Sequence, residues 1–345
     1  MAVAKMLDPI IPGLAPGSSE DATSQLPALD AMRRLGWTYL GPAEVDRLRG
    51  GRRSEVVLKE VLRAQLAKLN RFEYREREHA FTEGAIEDAL QELAGMPDEG
   101  LVRTNERVWE LLRLGKSIPQ TVDGDRRSYS VKYVDWEHPE NNLFHVTEEL
   151  EVEAAGSTET RRPDLIGFVN GIPFMVIECK PASLPGGKVP VEEAISQHLR
   201  NQGASEIPRL YHFAQLLLGL ALNEAKYGAT GTPLRFWHVW REEEDAEEAL
   251  ARLVAPCPPA ELAPFAEAFR WTRLQVVREA NLAAYSAAVG SGREVTEQDG
   301  LLHALCRPER LLEMVRRYTV FDGGERKIAR YQQYFAVRHA IERMR

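Results

Sequence analysis

Apolar positions along the chain follow two regimes. Between Leu26 and Leu114 they recur at helical spacing, and from Ser128 onward they alternate or run together as in strands. The first regime predicts a helix over Leu26 to Leu35, with Pro27 in its first turn and Gly36 after it. A second helix is predicted from a Ser54 cap through Leu58, Leu62, Leu66 and Leu69 to Asn70. A third is capped by Thr82 and ends at Gly95, and a fourth covers Arg103 to Leu114 before Gly115. Strand patterning follows in Ser128 to Trp136 and Asn142 to Glu153.

The strongest local signal lies in the middle of the chain. Leu165 to Val169 and Ile172 to Ile177 are apolar on both faces and are joined by Asn170-Gly171, residues that both tolerate positive φ. That pattern predicts a hairpin central in its sheet and covered on each side. Pro181 ends the second strand because it has no N–H for the ladder. Pro190 then opens a helix running to Gln202, closed by Gly203. Val191, Ile195 and Leu199 are expected to face the sheet, with Gln197 and Asn201 sharing another face. Leu216 to Asn223 and Pro233 to Trp240 read as further strands, and the acidic run Glu242 to Asp245 as a boundary. The segment after Pro258-Pro259 reads as helical. Its last part, from Arg307 to Arg345, carries ten Lys/Arg against five Asp/Glu and ends without a capping signal, as a segment of a longer protein would.

Three charged groups stand at the open end of this apolar hairpin: Asp164, Glu178 and Lys180. Charges are costly to bury unless paired or bound to metal. Two carboxylates and an ammonium suggest a hard-cation site with a cationic helper. Strand parity sets a condition on this idea. With Asn170 and Gly171 alone in the loop, Val169 pairs with Ile172 and Asp164 with Ile177, which leaves Asp164 and Glu178 on opposite faces. A shared cation therefore requires an odd-length loop, such as Val169-Asn170-Gly171, or a bulge.

Composition narrows the class. The 345 residues fit two domains or one large one, and 44% hydrophobic with 28% charged residues describes a soluble globular protein. No apolar run reaches the ~20 residues of a membrane span, and the N-terminus is not signal-like. Cys179, Cys257 and Cys306 are odd in number and widely spaced, which points away from a disulfide framework or a zinc site and toward a reducing cytosol. A net charge of −8 argues against a free-standing high-affinity nucleic-acid binder, so DNA binding would need local patches or partners. Pro185-Gly186-Gly187-Lys188 lacks phosphate-loop spacing, with Val189 where Ser or Thr is needed.

Pro163-Asp164 followed by Glu178-Cys179-Lys180 resembles the PD-(D/E)xK nuclease signature. The flanks extend the likeness. LGWTYLGP (Leu35 to Pro42), RRSEVVLKEVLRAQLAKLN, RPDLIGFVNGIPFMVIECKP, KYGATGTPLRFWHVW and YTVFDGGERKIARYQQYFAVRHAI, in that order, resemble the N-terminal part of the R subunit of type I restriction–modification enzymes. The resemblance implies an α/β, restriction-endonuclease-like α/β/α core with a mixed sheet, a helical N-terminal region, and the start of a RecA-like motor domain. The expected division is a loose arm at 1–22, the endonuclease domain at 23–250, and a connector with the motor's beginning at 251–345.

By the same resemblance, Asp164 and Glu178 hold Mg²⁺ or Mn²⁺ with the Cys179 backbone carbonyl, and Lys180 orients the attacking water and stabilises charge on the phosphate. Gln197 fits the family's Q-x-x-x-Y motif, but Asn201 stands where Tyr is expected, which puts that DNA-backbone or orienting contact in doubt. Arg162 is a further candidate DNA contact, and Glu20 lies where the family places an acidic residue on its first helix. The implied partners are double-stranded DNA and the methylation and specificity subunits, in the cytoplasm and with no membrane. ATP belongs to the full-length subunit, since this chain holds no GxxxxGK[ST] motif. The alternatives are a different PD-(D/E)xK nuclease, or a catalytically idle module that docks DNA or a partner.

Overall fold

In the computed structural model, residues 21–242, 246–258, 260 and 289–344 are described, so Glu20 lies outside them. The buried runs of the central hairpin become β9 (Leu165–Val169) and β10 (Ile172–Lys180), and every residue of both strands is buried. They occupy the middle of a six-stranded sheet of order β1-β6-β9-β10-β11-β12, which also contains β1 (Thr38–Tyr39), β6 (Phe144–Glu148), β11 (Leu216–Ala221) and β12 (Glu224–Gly228). The sheet is mixed. β10 runs parallel to β11 and β1 parallel to β6, while the other neighbours are antiparallel.

Helices cover both faces. On one, α6 (Pro190–Asn201) lies so close that a Cβ on Gly219 of β11 would meet Ile195 Cγ1 at 3.3 Å. Beyond it, α7 (Pro208–Phe213) completes the crossover to β11. On the other face, α1 (Leu26–Arg34) leads to Trp37, whose indole lies over Gly167 and donates to Cys306 O at 2.7 Å. Cys306 ends α9 (Glu297–Cys306), which is followed by α10 (Pro308–Arg317). The remaining helices are α2 (Pro42–Leu48), α3 (Lys59–Leu69), α4 (Glu83–Ala94), α5 (Leu101–Leu114), α8 (Glu247–Leu253) and α11 (Tyr331–Met344). Among the described residues no helix is long and apolar enough to cross a membrane.

Several local expectations are corrected. The second helix begins at Lys59, because the Leu58 N–H is taken by Gly171 O at 2.8 Å. Ser54 therefore caps nothing, and the Glu55 carboxylate accepts from Val56 and Val57 instead. The N-terminal third also contains two ribbons besides its helices: β2 (Arg71–Tyr74) with β3 (Arg77–Ala80), and β4 (Lys116–Val122) with β5 (Asp125–Val131). β5 stops short of Trp136 because the Asn70 side chain captures both the N–H and the carbonyl of Lys132. The run Asn142 to Glu153 breaks at Glu149 (φ 42°) into β6 and β7 (Val152–Glu153), which pairs with β8 (Thr160–Arg161).

Pro233 to Trp240 is not a strand. Phe236 and Trp237 donate back to Pro233 and Leu234 in a 3₁₀ turn, and only His238 bridges to Tyr227. Of the segment read as helical after Pro258-Pro259, residues 261–288 lie outside the described residues, and the described part is not wholly helical, since β13 (Thr319–Asp322) and β14 (Glu325–Ile328) form a hairpin around Gly323-Gly324. Glu242 at the expected acidic boundary is paired with Arg310 at 3.5 Å, while residues 243–245 lie outside the described residues.

Candidate metal-dependent nuclease site

The turn of the β9–β10 hairpin has two residues, with φ 53° at Asn170 and 82° at Gly171. Only glycine fits the second position, because a Cβ there would sit 2.6 Å from Leu58 O. The Asn170 amide donates to Tyr133 O and Asn142 Oδ1 and accepts from Leu143 N, so the buried turn is fully bonded. Ile172 pairs with Val169 and Pro173 with Phe168, after which the register shifts and Met175 pairs with Gly167. Phe174 is the extra residue. This bulge supplies the parity change that the turn does not: Ile177 now faces Leu165, and Glu178 comes opposite Asp164.

The three charges consequently converge. Asp164 Oδ2 accepts from Cys179 N at 2.6 Å and lies 3.7 Å from Lys180 Nζ. Its own carbonyl accepts from Glu149 N at 3.0 Å, which fixes its main chain against the end of β6. Lys180 Nζ also donates to Cys179 O at 2.6 Å. Glu178 is fully buried. Its Oε1 accepts from Asn201 Nδ2 at 3.2 Å, while Oε2 has no hydrogen-bond partner. Burial pushes the Asp164 carboxyl above its ordinary range against the pull of Lys180 and the Cys179 N–H. Burial, and then the neighbouring Asp164, push Glu178 up much further. Two carboxylates thus share a low-dielectric pocket with one ammonium, an arrangement short of positive charge.

Among the described residues no three His, Cys, Asp or Glu side chains are grouped to hold a metal. A cation here would rest on two carboxylates, backbone carbonyl oxygen and water, a donor set suited to a hard ion. The orphaned Glu178 Oε2 and the raised carboxyl pKa values fit that requirement.

The other expected residues divide. Asn201 reaches the site, on Glu178, because α6 buries Val191, Ala194, Ile195, His198 and Asn201 on one face. Leu199, expected to face the sheet, is instead exposed. Gln197 is half-buried on α6, and Arg162 is exposed, 3.9 Å from Glu149. Sequence reasoning missed His198 and Tyr211, both fully buried beside Asn201. The periodicity of α6 marks His198 as inward-facing, whereas nothing local marks Tyr211.

Comparison with known proteins identifies the family. A family model described as "Type I restriction enzyme R protein N terminus" matches residues 17–236. The type I restriction enzyme HindI endonuclease subunit of Haemophilus influenzae is 27% identical over 333 residues, covering 94% of this chain and 26% of that protein. A protein of Methanocaldococcus jannaschii, provisionally named the type I restriction enzyme MjaIXP endonuclease subunit, is 23% identical over 328 residues, covering 94% of this chain and 28% of its own length. The chain thus spans about a quarter of the length of these relatives. With more than half of its residues matched by the family model, this chain belongs to the family of type I restriction enzyme R protein N-terminal regions.

Proposed function

We propose that this chain is the nuclease portion of a type I restriction enzyme R subunit and hydrolyses DNA phosphodiester bonds with Mg²⁺ or Mn²⁺. The observation that carries the reading is the Phe174 bulge, which puts Asp164 and Glu178 on one face beside Lys180. An apolar hairpin has no structural use for that convergence, since all three groups raise the cost of burial.

In this reading Asp164, Glu178 and the Cys179 carbonyl hold the cation. Bound there, it supplies Lewis-acid charge neutralisation at the scissile phosphate. The protein's own groups do the rest. The Cys179 N–H fixes Asp164, the Asn201 amide fixes Glu178, and both carboxylates are aimed before substrate arrives. Lys180, nine-tenths buried, keeps its ammonium beside them to orient the attacking water and stabilise charge on the phosphate oxygens. In this reading Arg162, which is exposed, and Gln197 on α6 contact the DNA backbone.

The core at 23–250 is read as a restriction-endonuclease-like domain, and 251–345 as the connector and beginning of a RecA-like, ATP-driven translocase. Methylation and specificity subunits supply target recognition, and the complex acts in the cytoplasm. The printed names of the relatives support the restriction and endonuclease parts of this reading.

Direct binding of Mn²⁺ tests the site, followed by electron paramagnetic resonance in the absence of nucleotide. Wild type and Lys180→Ala should each bind an ion that Glu178→Gln binds at least tenfold more weakly. Equal binding by all three would remove the cation from this pocket.

A further inference from the structure

The Phe174 bulge decides whether Asp164 and Glu178 share a face, so whatever holds the bulge acts on the site. Pro173, the residue before it, has no N–H with which to pin the strand there. In a register without the bulge, Phe174 would pair with Gly167 and Ile177 with Asp164. Glu178 would then turn to the opposite face from Asp164. β9 is tied to β6 by an unshifted ladder, and β10 from Met175 onward is tied to β11 by another. The bulge absorbs the offset between these two fixed ladders, and it stays where the start of β11 puts it.

That start is anchored from outside the sheet. Gln215, the residue before β11, donates its N–H to Phe174 O at 2.7 Å and so grips the bulge residue directly. Gln215 is fully buried, and its carbonyl and Oε1 accept from Arg326 Nη2 at 2.8 and 2.9 Å. Arg326 Nη1 donates to the preceding carbonyl, Ala214 O, at 3.2 Å. Gln215 Nε2 donates to Phe213 O at 2.7 Å, which ties down the other end of the amide. One guanidinium from β14 thus holds two consecutive carbonyls where α7 hands over to β11. Its planar fork fixes their direction as well as their position, and with them the peptide that presents the Gln215 N–H.

We propose that Arg326 and Gln215 are positioning residues for the pair Asp164 and Glu178. Arg326 sets Gln215, Gln215 holds the Phe174 carbonyl, and the bulge keeps both carboxylates on one face. The inference rests on the reading of those carboxylates as cation ligands, so the two are tested side by side. A role in stability alone would lower the unfolding midpoint and leave the folded site unaltered. A positioning role alters the site in protein that is still folded.

The full R subunit is used, without nucleotide or DNA, at a temperature where urea unfolding shows each variant to be folded. Mn²⁺ binding is followed by electron paramagnetic resonance, and the backbone by hydrogen exchange. Arg326→Met should bind Mn²⁺ roughly tenfold or more weakly than wild type, with Arg326→Lys between them. The Gln215 amide should exchange faster in Arg326→Met while the amides of β6 keep their protection. Wild-type Mn²⁺ affinity in folded Arg326→Met, while Glu178→Gln binds weakly, overturns the positioning role and spares the metal site. Weaker binding with unchanged exchange at Gln215 overturns the route through the bulge. Glu178→Gln with wild-type affinity overturns the underlying reading instead. Should Arg326→Met fail to fold, Gln215→Met decides, since it matches the side chain's length and removes its hydrogen bonds. Weakened Mn²⁺ binding by that variant supports the proposal, and wild-type affinity refutes it.

Discussion

Glu178 sits where its carboxylate is least comfortable: fully buried, with one oxygen unpartnered and Asp164 beside it. In the metal-free chain its native pKa is raised above its unfolded value. Between the ordinary glutamate range near pH 4 and that raised value, the folded chain holds a proton that the unfolded chain has released. Stability of the metal-free chain therefore falls as pH rises through this window. Glu178→Gln removes the titration and keeps an oxygen for Asn201. In EDTA at pH 7 it should melt roughly 2–5 °C higher than wild type, with the gain fading toward pH 4. A variant that melts lower than wild type at pH 7 would mean that Glu178 is a structural acceptor, not a group held ready for a cation.

At the scale of elements, the hairpin converts local sequence into site geometry through its turn and its bulge. Gly171 fills a left-handed position against the Leu58 carbonyl, so Gly171→Ala combines backbone strain with a clash at the start of α3. We expect a loss of about 2 kcal/mol or more, read as a lower urea midpoint. An unchanged midpoint would show that the turn can relax without cost. The turn was legible because Asn-Gly has one strong use. Strand parity likewise makes the need for an extra residue legible, but that residue is Phe174 in the strand and not part of a three-residue loop. Nothing in Phe174 itself announces a bulge, because the register is set by β6 and β11 on either side of the hairpin. The same limit explains the other misses. Leu58 and Lys132 lose their expected roles to Gly171 and Asn70, partners remote in sequence whose claims no window of neighbours contains. Tyr211 was invisible for that reason too. The charged triad was legible because charges at the end of an apolar hairpin demand an explanation.

Across the whole molecule, a buried cation ties the C-terminal hairpin to the rest of the fold. Arg326 of β14 reaches Ala214 O at 3.2 Å, Gln215 O at 2.8 Å and Gln215 Oε1 at 2.9 Å, and also bonds Asn105 Oδ1. Asn105 in turn donates to the carbonyls of Tyr211, His212 and Ala214, at the end of α7. Burial lowers the Arg326 pKa to about 9, so it stays charged at pH 7. Desolvating a guanidinium is costly, but charge-assisted bonds to four acceptors outweigh that cost, at roughly 1.5–3 kcal/mol each before non-additivity. Arg326→Met removes this donor from Asn105 Oδ1 and both Gln215 oxygens, while Ala214 O keeps Asn105 and Thr230. It should lower stability by on the order of 3 kcal/mol, with Arg326→Lys intermediate in urea unfolding. Wild-type stability for Arg326→Met would remove the fastening.

Asp164 stands at the opposite end of the hairpin body from its turn, and the apolar strands supply the stability of that body, each buried Val, Ile, Leu, Phe or Met adding about 1.5–3 kcal/mol. Loss of its carboxylate should therefore leave the fold and any motor activity intact. The decisive measurement is cleavage of a circular DNA bearing the recognition site by a reconstituted complex carrying Asp164→Ala, with ATP hydrolysis followed in the same reaction. The account predicts that double-strand cleavage is lost while DNA-dependent ATP hydrolysis persists at the wild-type rate. Cleavage by Asp164→Ala at an undiminished rate would contradict it, because the carboxylate held by the Cys179 N–H would then have no part in the chemistry.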